Sequence, residues 1–262
     1  MKKRIIFLLI VMMFYGSGCD IIMEGDRLIP VSNESAGNKK VLLIEFTDQN
    51  CSNCLNATAE IYKMMEYFSD TIIVVSIHAN PLPFPLVTRE GNDYERYYQA
   101  EDHPAGIIDG GIGGKYMSHD PQTWAGFILE RLKVEPVINI DMEVNYNETS
   151  KEATVKVKLS GNEALSENKL QLWISENNVK QWQLMLDGTR NNDYIHNHVF
   201  RASINGTWGE SFSIGANETK DFSYSTTLNA NWKSEDISIT GFVYDPVTNE
   251  IFNVQEIKLI NK

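Results

Sequence analysis

An α/β unit followed by an all-β sandwich is the fold class this sequence predicts, and three observations predict it. Strand, CxxC, helix and strand succeed one another between Val41 and His78, helical spacing gives way to strict alternation after Pro136, and no cysteine follows Cys54. The length of 262 residues also exceeds the ~100–200 of a usual domain. Hydrophobic residues at 42% and charged residues at 22% exclude wholesale disorder and a polytopic membrane protein. A net charge of −12 opposes a nucleic-acid partner, which needs a basic surface. Three cysteines are too few for a multi-disulfide scaffold.

The chain begins with an address. Lys2, Lys3 and Arg4 precede an unbroken apolar run from Ile5 to Tyr15, too short for a ~30 Å bilayer core that takes about 20 residues. Gly16, Ser17 and Gly18 then lead to Cys19. This is the layout of a signal peptide over residues 1–18. Its ending resembles a bacterial lipoprotein signal, with Gly16 where such signals usually carry Leu, and the resemblance implies lipidation of Cys19. Ordinary signal-peptidase cleavage would instead leave Cys19 free or remove it. Residues 19–40, mixed and rich in Ser, Asn and Gly at their end, read as a tether.

The first folded unit is expected over residues 41–134. VLLIEF from Val41 has the continuous apolar character of a central strand, with Glu45 its one acid. CSNC follows, and then Leu55, Ala59, Ile61, Met65 and Phe68 recur at helical spacing without Gly or Pro. TIIVVSIH, Thr71 to His78, is a second buried strand. The cysteines therefore sit at a helix N-terminus, where orphan N–H groups and the positive dipole end stabilise a thiolate. At i and i+3 their sulfurs are close enough to cycle between dithiol and disulfide, with Cys51 the exposed attacker and Cys54 the shielded resolving thiol.

The stretch VLLIEFTDQNCSNC resembles the thioredoxin active-site segment. The resemblance implies a thioredoxin-like domain in which Glu45, six residues before Cys51, takes up the resolving thiol's proton. It further implies a cis-proline beside the disulfide; Pro104 in EDHPAGIID matches, with Ile107 and Ile108 opening a third strand. A final helix is expected from Asp120, as N-cap, and Pro121 through Leu132. Asn50 replaces the family's usual aromatic, and no proline follows within or just after the pair. A stable disulfide without catalysis fits the same residues, since such a bond persists in an oxidising envelope.

Residues 80–119 read as an insertion. Pro81, Pro83 and Pro85 forbid helix, and Asp93 to Ala100 forms a short one. Phe84, Tyr94, Tyr97 and Tyr98 either pack the insertion or line a client surface at the CxxC rim. GGIGGK, Gly110 to Lys115, fails as a phosphate loop because Asp109 and Tyr116 occupy positions that need Gly and Ser/Thr.

Period-2 runs at 137–146, 152–160, 169–175, 221–228, 236–245 and 251–260, with one or two more strands in 194–214, make about seven strands over residues 137–262. That count and spacing predict an immunoglobulin-like β-sandwich without an inter-sheet disulfide. His196 and His198 share one strand face, a spacing seen in metal sites, but no third ligand is near, and packing or hydrogen bonding accounts for them. Neither they nor a lone CxxC half-site implies a metal, and no cofactor is expected.

A lipoprotein-type leader, the EFT.Q.C..C segment and YIHNHVFRASINGTWGE together resemble the Omp28-related outer-membrane lipoproteins over nearly the whole mature chain. The resemblance implies lipid anchoring at the cell outer membrane, with the membrane as one partner. It supplies no catalytic residues beyond Cys51, Cys54, Glu45 and Pro104. Two functions remain open: thiol–disulfide exchange with protein clients at the CxxC rim, or a non-enzymatic binding or adhesion lipoprotein whose disulfide is a staple and whose Ig-like domain contacts surface ligands.

Overall fold

The computed structural model describes residues 38–260. The expected signal peptide, Cys19 and most of the tether lie outside the described residues.

Strand β1 (Val41–Thr47) is buried along its whole length. Helix α1 (Cys54–Phe68) turns Cys54, Ala57, Ile61, Met64 and Phe68 inward, the three- and four-residue spacing that makes one apolar face. Strand β2 (Ile72–His78) runs parallel to β1, in register from Val41 opposite Ile72 to Thr47 opposite His78. Helix α2 (Arg89–Tyr98) starts four residues before the expected Asp93, because Thr88 caps it by accepting the Gly91 N–H at 2.9 Å. Strand β3 (Ala105–Ile108) follows the cis His103–Pro104 bond and pairs antiparallel with β1, and β4 (Met117–Ser118) pairs with β3. Asp120 caps the next helix by accepting the Gln122 N–H, as expected, but the first turn, Pro121–Thr123, is 3₁₀ and α3 (Trp124–Arg131) begins only after it.

Ten strands follow, where about seven were expected. They are β5 (Ile138–Asn147), β6 (Glu152–Gly161), β7 (Leu165–Glu176), β8 (Val179–Leu184), β9 (Arg190–His196), β10 (Val199–Ser203), β11 (Glu210–Ile214), β12 (Thr219–Thr227), β13 (Ile237–Tyr244) and β14 (Ile251–Lys258). The main sheet has the order β14-β13-β7-β10-β2-β1-β3-β4, with β11 also pairing β7. A three-stranded sheet, β12-β6-β5, packs over part of it, and β8 and β9 form a separate ribbon.

This architecture corrects the expected fold class. The described residues are mainly strand, with three α-helices, and do not make a thioredoxin-like α/β domain followed by an all-β immunoglobulin-like sandwich. The decisive junction is at β2. Its outer edge is taken by β10, which runs parallel to it at Val199 opposite Ser76, and the Ser76 N–H donates to the His198 carbonyl at 2.7 Å. An open strand edge is a row of unpaired backbone groups, and a strand from more than a hundred residues later satisfies it. Hydrophobic periodicity reports a strand's buried face but not its neighbour, so the pattern alone divided what the sheet joins.

The cores follow the same logic. Ala153, Val155, Val157 and Leu159 alternate along β6 and pack against Leu172, Ile174, Ile237 and Ile239 of the main sheet. Phe46, Val75 and Ile77 of β1 and β2 share a second cluster with Trp173, Phe200 and Phe242. On the opposite face α1 and α3 cover Leu43 and Val74, and the Trp124 indole lies over Gly106.

A buried ionic cluster ties the ends of these elements. Asp109 accepts Lys39 Nζ at 2.7 Å and Arg131 Nε at 3.0 Å on one oxygen and the Leu42 N–H at 3.0 Å on the other. Arg131 continues to Glu250 at 2.8 Å, and Lys39 also donates to the Phe252 carbonyl at 3.0 Å. Fixed backbone carbonyls and paired charges replace the water these groups lose on burial.

Candidate functional site around Cys51 and Cys54

The loop after β1 is held by its own side chains. Asp48 accepts the Asn50 N–H at 3.1 Å and the Asn80 amide at 2.5 Å, and the Cys51 N–H donates to the Asp48 carbonyl at 3.1 Å. Cys54 opens α1 and is buried, whereas Cys51 is half-buried. The two are joined in a disulfide. The Cys54 N–H points at Cys51 Sγ at 3.1 Å, so the more exposed sulfur sits where the helix presents its unpaired donors.

Glu45 is buried on the neighbouring strand. Its Oε2 accepts Ser76 Oγ at 2.5 Å, while Oε1 has no hydrogen-bond partner among the described residues. Burial pushes its carboxyl up to about 7, outweighing the Ser76 hydrogen bond that favours the ionised form. Glu45, Cys54, Ser76, His78 and His196 line one cavity of about 30 Å³, room for a water or two. Pro104 lies beyond Ala105, which pairs with Phe46, and so belongs to the same end of β1 as the cysteine loop. Its carbonyl accepts His119 Nδ1 at 3.3 Å.

Nothing in the sequence signals what covers this loop. The β8–β9 ribbon lies across it: the Gln183 amide donates to the Cys51 carbonyl at 2.9 Å, the Gln49 amide to the Trp182 carbonyl at 2.8 Å, and the Leu184 N–H to the Gln49 carbonyl at 2.9 Å. Gln183 is a lone buried amide in an otherwise ordinary strand pattern, and nothing local marks its partner. The insertion's aromatics separate. Phe84 meets Trp182 edge-on at 5.0 Å, whereas Tyr94 is buried against Trp173 and Phe200, and Tyr97 lies at 4.7 Å from Trp208.

The two histidines also part company. His196 ends β9 with Nδ1 3.3 Å from Nε2 of His78, the last residue of β2. His198 instead adopts a left-handed backbone conformation and serves β2 through its carbonyl. Burial lowers both His196 and His198 to about 4 and lowers His78 as well, so all three are neutral near pH 7. Among the described residues no three His, Cys, Asp or Glu side chains converge as a metal site.

The fold is shared with HBP35 of Porphyromonas gingivalis, at a TM-score of 0.72 and 17% identity over 84% of this chain and 75% of that one. A domain of the outer membrane lipoprotein Omp28 from the same organism is 26% identical over 47% of this chain and 88% of its own, with a TM-score of 0.36. No curated protein matches the chain. The model of the family described as outer membrane protein Omp28 matches residues 91–262, well over half of the chain, though the match begins after both cysteines of the site. This agrees with the outer-membrane localisation that the resemblance implies. The chain belongs to the Omp28 family of outer membrane proteins.

Proposed function

We propose that this outer-membrane protein, anchored by lipid on Cys19, exchanges disulfides with protein clients through Cys51 and Cys54. The observation that carries the reading is the asymmetry of the pair: Cys51 half-exposed at the helix start, Cys54 buried and lining a cavity with Glu45. A client thiolate attacks Cys51 Sγ, the Cys51–Cys54 bond breaks, and its electron pair leaves on Cys54. Glu45, about half protonated near neutrality, gives Cys54 a proton. A second client thiol then displaces Cys51, so the client leaves oxidised and the pair is reduced; the reverse sequence reduces a client. Pro104, at the same end of β1, borders the edge where the client would lie.

One observation favours the competing reading, a binding lipoprotein with a disulfide staple. Gln183 and Gln49 clasp the ribbon onto the cysteine loop and narrow the approach to Cys51. Trapping separates the two. In the full chain, Cys54→Ser is expected to accumulate mixed disulfides with envelope proteins, and Cys51→Ser is expected to accumulate none. Absence of trapped clients, with a reduction potential below about −300 mV, would assign the bond to structure alone.

A further inference from the structure

We infer that the buried His78–His196 pair is the proton path that serves Glu45 during exchange at Cys54, an inference that rests on the exchange reading above. Three observations converge on it. Nε2 of His78 meets Nδ1 of His196 at 3.3 Å, so one ring donates to the other. That contact leaves one nitrogen free at each end, and these two atoms, His78 Nδ1 and His196 Nε2, have no hydrogen-bond partner among the described residues. Glu45 Oε1 is unpartnered in the same way, and all three side chains line the cavity that Cys54 also lines. Unpaired buried polar atoms are costly and few in native proteins, so three on side chains that line one small cavity call for a reason.

The chemistry supplies one. Breaking the Cys51–Cys54 bond puts an electron pair on a buried sulfur, which takes the Glu45 proton. The carboxylate left behind is itself buried, with Ser76 its one hydrogen-bond donor among the described residues. Two imidazoles in series accept a proton at one free nitrogen and release one from the other, so a proton crosses while neither ring stays charged. The cavity of about 30 Å³ has room for a water joining ring and carboxyl. The pair exists only because the ribbon is folded over the site, since His196 belongs to β9 and His78 to β2.

The surroundings fit this use. Titratable or charged groups facing the pair are Glu45 from β1, Cys54 and Tyr62 from α1, Tyr194 from β9, His198 beside it, Arg201 from β10 and His103 just before β3. Desolvation most strongly opposes a lasting positive charge on His78, followed by His196, Arg201 and His103, and only the Ser76 backbone favours it. Backbone near Gln181 and Trp182 favours a charged His196 without overcoming burial. A path that carries protons without storing them needs that balance.

The test is reduction of the full mature chain by dithiothreitol across roughly pH 5 to 9, with rates expressed per thiolate. Below pH 7 Glu45 holds its own proton; above it, each turnover must bring one in. His196→Gln is therefore expected to slow reduction more at pH 8 than at pH 5.5, by at least roughly tenfold. In a Glu45→Gln background the same substitution is expected to add nothing. His78→Gln is the second variant should His196→Gln fail to fold, as judged by circular dichroism. An equal slowing at every pH, or a profile that matches the unsubstituted chain, overturns the proton path while leaving exchange intact. An unsubstituted chain that reacts no faster than a short unfolded CxxC peptide overturns the exchange reading, and the path with it.

Discussion

Trp173 Nε1 donates a hydrogen bond to Tyr94 Oη at 2.9 Å, tying β7 to α2 through two side chains that are both buried. The same phenol donates its one proton to the Thr207 carbonyl at 2.5 Å and accepts from Ser203 Oγ, 2.8 Å away. One oxygen thus satisfies groups from three segments of the later region.

Tyr94→Phe keeps the ring and its edge contacts with Trp173 and Phe200 and removes only that oxygen. It leaves the Trp173 N–H buried without an acceptor, which costs about 1–3 kcal/mol. Urea unfolding is expected to show a lower midpoint with an unchanged slope. A midpoint equal to that of the unsubstituted chain would mean the hydrogen bonds add nothing net.

Asp109→Asn is expected to be the more damaging change. It leaves Lys39 and Arg131 buried beside an uncharged amide, and breaking one partner of a buried ionic cluster costs roughly 3–5 kcal/mol. Desolvation already pulls the Lys39 ammonium below its ordinary value, and loss of the carboxylate removes what opposes that pull. Thermal unfolding at fixed pH measures it.

Glu45 makes stability depend on pH in a stated direction. Its carboxyl is raised from 4.5 to about 7 on folding, so the folded chain binds more protons than the unfolded chain between those values. Its contribution is therefore fully present below about 4.5 and is lost as pH rises to about 7. Glu45→Gln is expected to gain stability relative to the unsubstituted chain across that window, by on the order of 1 kcal/mol per pH unit. His78 and His196, whose values are lowered, act oppositely at acid pH in both chains, so the difference between the two chains isolates Glu45. A difference that stays flat from pH 4 to pH 8 would contradict it.

Gly106→Ala tests the packing of β3 against α3. A Cβ there would stand 2.2 Å from the Trp124 indole, so the ring must move and its hydrogen bond to the Ser118 carbonyl at 3.0 Å is disturbed. Overpacking of this kind costs about 1–3 kcal/mol. Trp124 fluorescence is expected to shift along with the unfolding midpoint.

Local order was legible in the residues. The strand at Val41, the helix at Cys54, the cap at Asp120 and six of the later strands were readable because each depends on periodicity or on a cap within a few positions. Helix α2 starts ahead of the expected Asp93 because the Thr88 cap outweighs the poor helix formers after it. The placement of Tyr94 and Tyr97 was not legible, since an aromatic in a proline-rich stretch carries no sign of which strand it meets. The roles of Gln183 and His78 are not legible for the same reason: each acquires meaning only from a partner more than a hundred residues away.

Read alone, the order of amino acids determined the elements around the cysteines and six of the later strands, the spacing that lets Cys51 and Cys54 join, and the acid on the buried strand before them. Only the tertiary structure decided that β10 would close the edge of β2, that a ribbon would lie over the cysteine loop, and that His196 would meet His78. The physical reason is the reach of the interactions. Helix caps and periodic apolar faces act over a few residues, whereas an open strand edge or a buried imidazole is satisfied by whichever distant group the folded chain brings to it.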